Sequence, residues 1–294
     1  MDLTPALGTN IKDCKPDILV DKTWRVSEKI DGVRRLFYKS KTGLITAYSR
    51  TGKQDKWLTH ITSFLEPPWF PYDKVYDCEL VDRELYFNKA DSFLLRAETT
   101  GKANQQYPDN KQDLMAICFD IYTPGGTDNG FARDKELSDL LGQQPLNSPM
   151  IRVPIFGTIE GANTDVLNSL MSQVQRYGGE GLMLMDLNEM YIPGRSKTLL
   201  KVKRLDEYSG VVVDVEMATD GTKIKGGVAA LICQVKGCTV PVRVGTGLSH
   251  QLRQDMAQDL PNVIGHKIEI DAFSKTRDAK GNISLSMPVF KRLL

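Results

Sequence analysis

The sequence predicts an α+β chain built in two parts: a mixed-sheet domain over residues 1–205 and a small, mostly stranded domain over residues 206–294. Three observations predict it. Strand-length apolar runs with few helices fill the first two-thirds. Beyond "LLKVKRLDEYSG" come short strands separated by turn glycines. Between the two, the charged, non-periodic "KRLDEYS" reads as a hinge around Asp206 and Glu207.

In chain order, "SEKIDGVRRLFY" comes first, and its Asp31-Gly32 pair reads locally as a tight turn joining two strands. "RRLFYKS" and "GLITAYSR" flank a "KTG" turn, while "KVYDCELV", "LMAICFDIY" and "EGLMLMD" are apolar runs of strand length, together a mixed sheet with buried central strands. "RDKELSDLLG" is a short helix closing on Gly142. In "TDVLNSLMSQVQRYGG", Val166, Leu167, Leu170, Met171, Val174 and Tyr177 fall on one helical face, with Thr164 to cap the start and Gly178 to end it. The remainder sets "GVVVDVE", "AALICQVKG", "TVPVRVG" and "HKIEIDAF" around one helix, "SHQLRQDMAQDL", a pattern that fits a small Greek-key barrel of the OB type.

Lys and Arg number 38 against 37 Asp and Glu, so no global field advertises a polyanionic partner and any nucleic-acid surface must be a local patch. The five cysteines (Cys14, Cys78, Cys118, Cys233, Cys238) lack the C-x-x-C or His-paired spacing of a zinc site and read as reduced structural thiols. No basic start followed by an apolar run opens the chain, and no segment reaches the length of a membrane-spanning helix. A soluble cytoplasmic protein without a signal peptide or membrane partner is expected.

Chemistry-bearing residues are scattered along this frame. Lys29, Asp31, Gly32 and Arg34 fix four identities within six positions, a pattern that a structural hairpin also satisfies. Ser49-Arg50-Thr51-Gly52 is by default a solvated turn, Glu79 a strand carboxylate, and Phe119 beside Asp120 a core ring. Glu180 with Gly181 follows, then Lys201 and Lys203, two apart and by default one solvated strand face.

Taken in this order, the motifs resemble the nucleotidyltransferase motifs of the ATP-dependent DNA ligase family, whose superfamily also holds RNA ligases and mRNA capping enzymes. The resemblance runs from Lys29 to the end of the chain. It implies an adenylyltransferase domain with an ATP-grasp-like mixed sheet, followed by an OB-fold domain. It also implies ATP as AMP donor, Mg²⁺ or Mn²⁺ as metal, and nicked double-stranded DNA as partner of a monomeric enzyme. Lys29 would be the nucleophile, with the backbone around Ser27 and Glu28 at the adenine edge. Arg34 and Glu79 would hold the ribose hydroxyls, Phe119 would stack on the purine, and Lys201 and Lys203 would contact the α-phosphate. Glu180 and Glu79 would support the metal, Asp31 would orient Lys29 or a metal-bound water, and Arg50 would grip the 5′-phosphate of the nick.

The chemistry agrees with this resemblance. An amine attacks phosphorus only when neutral, and a lysine reference pKa of ~10.4 leaves about one in a few thousand neutral at pH 7. Burial beside other cations, here Lys201, Lys203 and Arg34, together with a divalent ion, would favour the neutral amine.

In the second domain, Arg243, Lys267, Lys275, Arg277, Lys291 and Arg292 are the candidates for contact with a polyanionic strand. One departure stands out: Ser286 occupies the place before "MPVF" where related sequences carry an arginine, and the chain stops at Leu294. Only 28 residues precede Lys29, so nick binding is expected to rest on the two core domains, without the helical DNA-binding domain of larger ligases. Three functions compete: a minimal DNA ligase, an RNA ligase or capping guanylyltransferase, and a non-catalytic OB binding module. "EGLMLM" and "VGTGLS" favour the first, and the intact motif set opposes the third.

Overall fold

The computed structural model describes residues 3–90, 92–105, 111–161, 164–203, 206–219, 224–272, 274–277, 281–286 and 288–294. The chain divides into two compact units, Met1–Lys203 and Arg204–Leu294.

In the first unit, β1 (Ala6–Asn10), β2 (Thr23–Glu28), β3 (Val33–Lys39), β4 (Ile45–Ser49) and β5 (Gln54–Asp55) lead into α1 (Thr59–Phe64) and β6 (Lys74–Asp82). There follow α2 (Arg83–Phe87), α3 (Ser92–Asn104), β7 (Leu114–Tyr122), α4 (Gly130–Leu141) and β8 (Met150–Arg152). The unit ends with β9 (Ile155–Glu160), α5 (Thr164–Arg176), β10 (Leu182–Asp186) and β11 (Gly194–Val202). These strands make two mixed sheets, one in the order β1-β11-β10-β2-β9 and one in the order β5-β4-β3-β6-β7-β8.

Period-two alternation decides what each sheet does. Trp24 and Val26 of β2, Leu182 and Leu184 of β10 and Leu200 of β11 pack with Leu167, Met171 and Val174 of α5. The intervening Arg25, Ser27, Met183, Lys201 and their neighbours turn to the other face. In the second sheet Tyr76, Cys78, Leu80, Ala116 and Cys118 join a core with Leu137 and Leu141 of α4, leaving Asp77 and Glu79 for the opposite side. Val166, expected on the buried face of α5, is exposed. The chain leaves α5 through Gly178 at φ 79°, with Gly179 N–H donating to Val174 O at 2.9 Å. Helix α4 starts earlier than the charged run suggested, at Gly130, with the Asn129 side chain capping Ala132 N–H.

The Asp31-Gly32 pair is not a hairpin turn. Strands β2 and β3 belong to different sheets, and residues 29–32 carry the chain from one to the other. Gly32 is required there by close approach: a Cβ would stand 2.0 Å from Leu80 O. The Asp-Gly signal marked a tight place in the backbone, but not the pairing usually inferred from it.

In the second unit, β12 (Asp206–Met217), β13 (Val228–Val235) and β14 (Val242–Val244) precede α6 (His250–Gln258) and α7 (Leu260–Val263), followed by β15 (Lys267–Ala272), β16 (Ser274–Arg277), β17 (Ile283–Ser286) and β18 (Val289–Leu293). The main sheet runs β14-β13-β12-β15-β18 around a core that includes Leu231, Ile268, Ile270 and Phe290. Among the described residues its edges meet through a single parallel bridge, Thr246 to Val289. The described ladders therefore form an open sheet, not the closed barrel expected. Asp206 and Glu207 are strand residues paired with Ala272 and Asp271, so β12 begins within the stretch read as a hinge. Among the described residues no helix is long and apolar enough to cross a membrane.

Candidate active site

The polar faces of the first unit's two sheets enclose a cavity of about 270 Å³. On the first sheet, Ser27, Met183 and Lys201 are register partners across β2, β10 and β11, so all three side chains share one face. Two residues further along, Lys29 N–H donates to Gly181 O at 2.9 Å. Gly181 sits at φ 151°, and a Cβ there would lie 2.3 Å from Val202 O, which accounts for the glycine beside Glu180. This edge brings Lys29 and Lys203 together on Glu180, whose two carboxylate oxygens each accept from one ammonium. Lys201, by contrast, has no carboxylate partner among the described residues. Burial, with Lys203, Arg195 and Lys29 close by, lowers its pKa below that of an ordinary lysine.

Arg34 on β3 is the direct partner of Glu79 on β6. Its guanidinium is held by Asp77 in a two-pronged pair, at 2.5 and 2.6 Å. Tyr191 hydroxyl donates to the same Asp77 at 2.9 Å and accepts from Ala6 N–H at 2.8 Å. The Arg34 guanidinium also lies 4.4 Å over the Phe119 ring. A bulge opposite Asp77 and Cys78 leaves Phe119 out of the β6–β7 ladder, which aims its ring at the cavity wall. Glu79 accepts no hydrogen bond from any described residue, and burial pushes its carboxyl up to about 7 against the pull of Arg34, Lys29 and Arg96.

Of the first-unit residues given a role in the sequence reading, Asp31 alone does not line this cavity. Asp31 binds Arg96, which donates to its carboxylate and to Gly32 O, each at 2.9 Å. Burial and the nearby Glu180 raise the Asp31 carboxyl, against Arg96 and Lys29. In the backbone expected at the adenine edge, Glu28 N–H donates to Pro154 O at 3.1 Å. Among the described residues no three His, Cys, Asp or Glu side chains converge as a ready cation site. A divalent ion would be held by Glu180 and the nucleotide's own phosphates, a donor set that suits magnesium.

Several lining residues escaped the sequence reading. Asp77 and Arg25 were available from alternation alone, lying two positions from Glu79 and from Ser27 in the same strands. Arg25 donates to Phe119 O at 2.6 Å and to Asp134 at 2.6 Å. Arg96 lies on α3 at no motif, and only the fold brings it in.

Three of the six basic residues expected to face DNA from the second unit are paired with carboxylates. Arg243 makes two bonds to Glu216, at 2.7 and 2.8 Å. Lys291 is bonded to Glu207 and lies 3.0 Å from Glu269, which also accepts from Arg292 at 2.6 Å. Lys267 and Lys275 are exposed, and the side chain of Arg277 lies outside the described residues. Ser286 ends β17.

The family model of the ATP-dependent DNA ligase domain matches residues 7–203. No curated protein matches the chain. Among solved structures, "Pmar-Lig_PreS3" aligns with a TM-score of 0.81 at 21% identity, covering 99% of this chain and 67% of its own. A structure from a study of Lig E DNA ligases aligns at 0.69 and 20% identity, covering 100% of both chains. The ATP-dependent DNA ligase of bacteriophage T7, in complex with ATP, aligns at 0.53 and 17%, covering 98% of this chain and 97% of its own. These likenesses show a shared mixed α/β fold. Because the family model spans both walls of the cavity, the chain belongs to the ATP-dependent DNA ligase family.

Proposed function

We propose that the cavity binds ATP and that Lys29 Nζ attacks the α-phosphorus, expelling pyrophosphate and forming a lysyl-AMP. The AMP passes to the 5′-phosphate of a nick in duplex DNA, and the 3′-hydroxyl then displaces AMP to seal the strand. The observation that carries this reading is the division of the cavity into two walls, with Lys29, Glu180, Lys201 and Lys203 on one and Arg34, Glu79 and Phe119 on the other.

The first wall suits the phosphates. Two ammonium groups share one carboxylate at Glu180, so an arriving triphosphate finds cations already gathered, and its oxygens replace part of what Glu180 supplies. Lys29 becomes a nucleophile by giving up its ammonium proton, for which the Glu180 carboxylate in contact with it is the acceptor at hand, and the amine is then released from Glu180. The second wall suits the nucleoside. Glu79 has acceptor capacity left for a ribose hydroxyl, and Arg34 is fixed by Asp77 beside it. In this structure Arg34 covers one face of Phe119, so the purine takes another part of the ring or Arg34 moves aside as it enters. A magnesium ion, when bound, would neutralise phosphate charge.

Arg50, exposed at the cavity rim, is assigned to the 5′-phosphate. The second unit is read as the family's OB-type domain, a reading supported by its five-stranded antiparallel sheet and its single edge-to-edge bridge. Incubation with labelled ATP or labelled GTP, followed by nicked DNA or nicked RNA, tests the whole reading. Label retained from ATP alone, absent in Lys29→Ala and discharged by nicked DNA, is the expected result. Stable label from GTP would assign the chain to the capping branch instead.

A further inference from the structure

Arg35 follows Arg34 in the sequence and has the look of surface charge, yet it is buried, 7% exposed. Its Nε and Nη2 donate to Asp55 at 3.2 and 3.1 Å. Lys111, 2% exposed, donates to both oxygens of the same carboxylate, at 3.0 and 3.2 Å. The Trp57 N–H adds a further contact to Asp55 at 3.2 Å. Two buried cations thus meet one buried carboxylate, an excess of charge that a fold tolerates only where the geometry is useful or unavoidable.

The position of this cluster suggests the use. Asp55 ends β5, an edge strand of two residues whose only register pairs are Ala47 with Asp55 and Tyr48 with Gln54. So short an edge would fray if nothing else held it. Arg35 is itself the cross-strand partner of Ser49, the residue before Arg50. The cluster therefore spans from β3 over β4 to β5 and ties down both ends of the turn that carries Arg50. That turn is further closed by Ser49 N–H to Lys53 O at 2.7 Å and Gly52 N–H to Ser49 O at 2.9 Å.

Arg50, Lys53 and Lys56 are exposed, lie within seven residues of one another, and have no carboxylate partner among the described residues, whereas Arg243, Lys291 and Arg292 are all paired. A row of unpaired cations on a braced hairpin suits a phosphate backbone. We infer that Arg35, Asp55 and Lys111 are positioning residues that hold this hairpin against the DNA backbone and so set the rate of AMP transfer to DNA. The inference rests on the reading of Arg50 given above.

The test separates the two. Wild type, Asp55→Asn, Arg50→Ala and the double variant are each loaded with labelled AMP, which also counts the folded molecules. Excess nicked duplex is then added, and transfer is followed in a single turnover per labelled enzyme. Misplacing a catalytic contact by about 1 Å costs on the order of 100-fold, so Asp55→Asn is expected to slow transfer by about 10- to 100-fold. The double variant should be no slower than Arg50→Ala. Arg35→Lys, which keeps the charge, should recover part of what Arg35→Met loses. Losses that multiply in the double variant would overturn the inference alone. Arg50→Ala transferring at the wild-type rate would overturn the reading of Arg50 and the inference with it.

Discussion

Glu79 offers a measurement that needs no substrate. Its carboxyl is raised from 4.5 to about 7 chiefly by burial, with Arg34, Lys29 and Arg96 opposing and Asp31 reinforcing the shift. Between those two values the folded protein keeps a proton that the unfolded chain has already lost, so stability falls as pH rises. The contribution is fully present below pH 4.5 and is lost as pH passes through about 7. At 1.36 kcal/mol per pH unit, the displacement is worth about 3 kcal/mol, most of which disappears between pH 5 and pH 8. Glu79→Gln keeps the shape and removes the titration. Urea unfolding of both proteins at pH 5, 6, 7 and 8 should show the wild type losing about 2 to 3 kcal/mol relative to the variant across that range. A difference that stays constant with pH would mean that Glu79 is ionised throughout, and the raised carboxyl would have to be abandoned.

Two further outcomes follow from the geometry. Gly32→Ala would drive a methyl to within 2.0 Å of Leu80 O, a backbone atom of β6 that has no rotamer to retreat into. It should cost about 3 kcal/mol or more of unfolding free energy and greatly reduce AMP uptake, measured by denaturation and by labelling. Binding of nicked duplex should weaken steeply with salt, and Lys53→Gln or Lys56→Gln should each lower the slope of log affinity against log salt by about 1. Lys291→Gln should lower it less, because Lys291 already answers to Glu207 and Glu269. A larger effect from Lys291 than from Lys53 would place the main backbone contact on the second unit.

What the sequence made legible was whatever repeats within a strand or holds a fixed spacing. The strands that carry Glu79 and Phe119 announced themselves as apolar runs of strand length, and the period-two geometry of a strand then puts every second side chain on one face. What stayed hidden was pairing between distant positions. Arg35 looked like surface charge because its carboxylate is 20 residues away and its second cation, Lys111, lies 56 residues beyond that. Lys291 and Arg292 looked like a basic edge because the acids that neutralise them sit on β12 and β15, brought alongside by sheet pairing. Asp206 and Glu207 looked like a hinge because charge and lack of period resemble a linker, but strand β12 begins at Asp206.

The spacing of Lys29, Asp31, Gly32 and Arg34 acquires a physical reason once the hairpin reading is set aside. Lys29 ends its run on the phosphate wall, tied by its N–H to Gly181 O, and Gly32 presses against Leu80 O on the nucleoside wall. Arg34 then stands opposite Glu79 in the second sheet. The intervening step is one of two crossings between the sheets, the other being Val153–Pro154 between β8 and β9. Lys29, the proposed nucleophile, is placed at such a crossover. It faces Lys201 and Lys203 through the first sheet, while Arg34 and Glu79, the proposed ribose-binding pair, are placed by the second. In-line attack needs the α-phosphorus and the amine held within a narrow geometry. Under the proposed function, a chain that crosses between the two walls at Lys29 meets that need with backbone, which is why Gly32 would matter to the chemistry even though it has no side chain to offer.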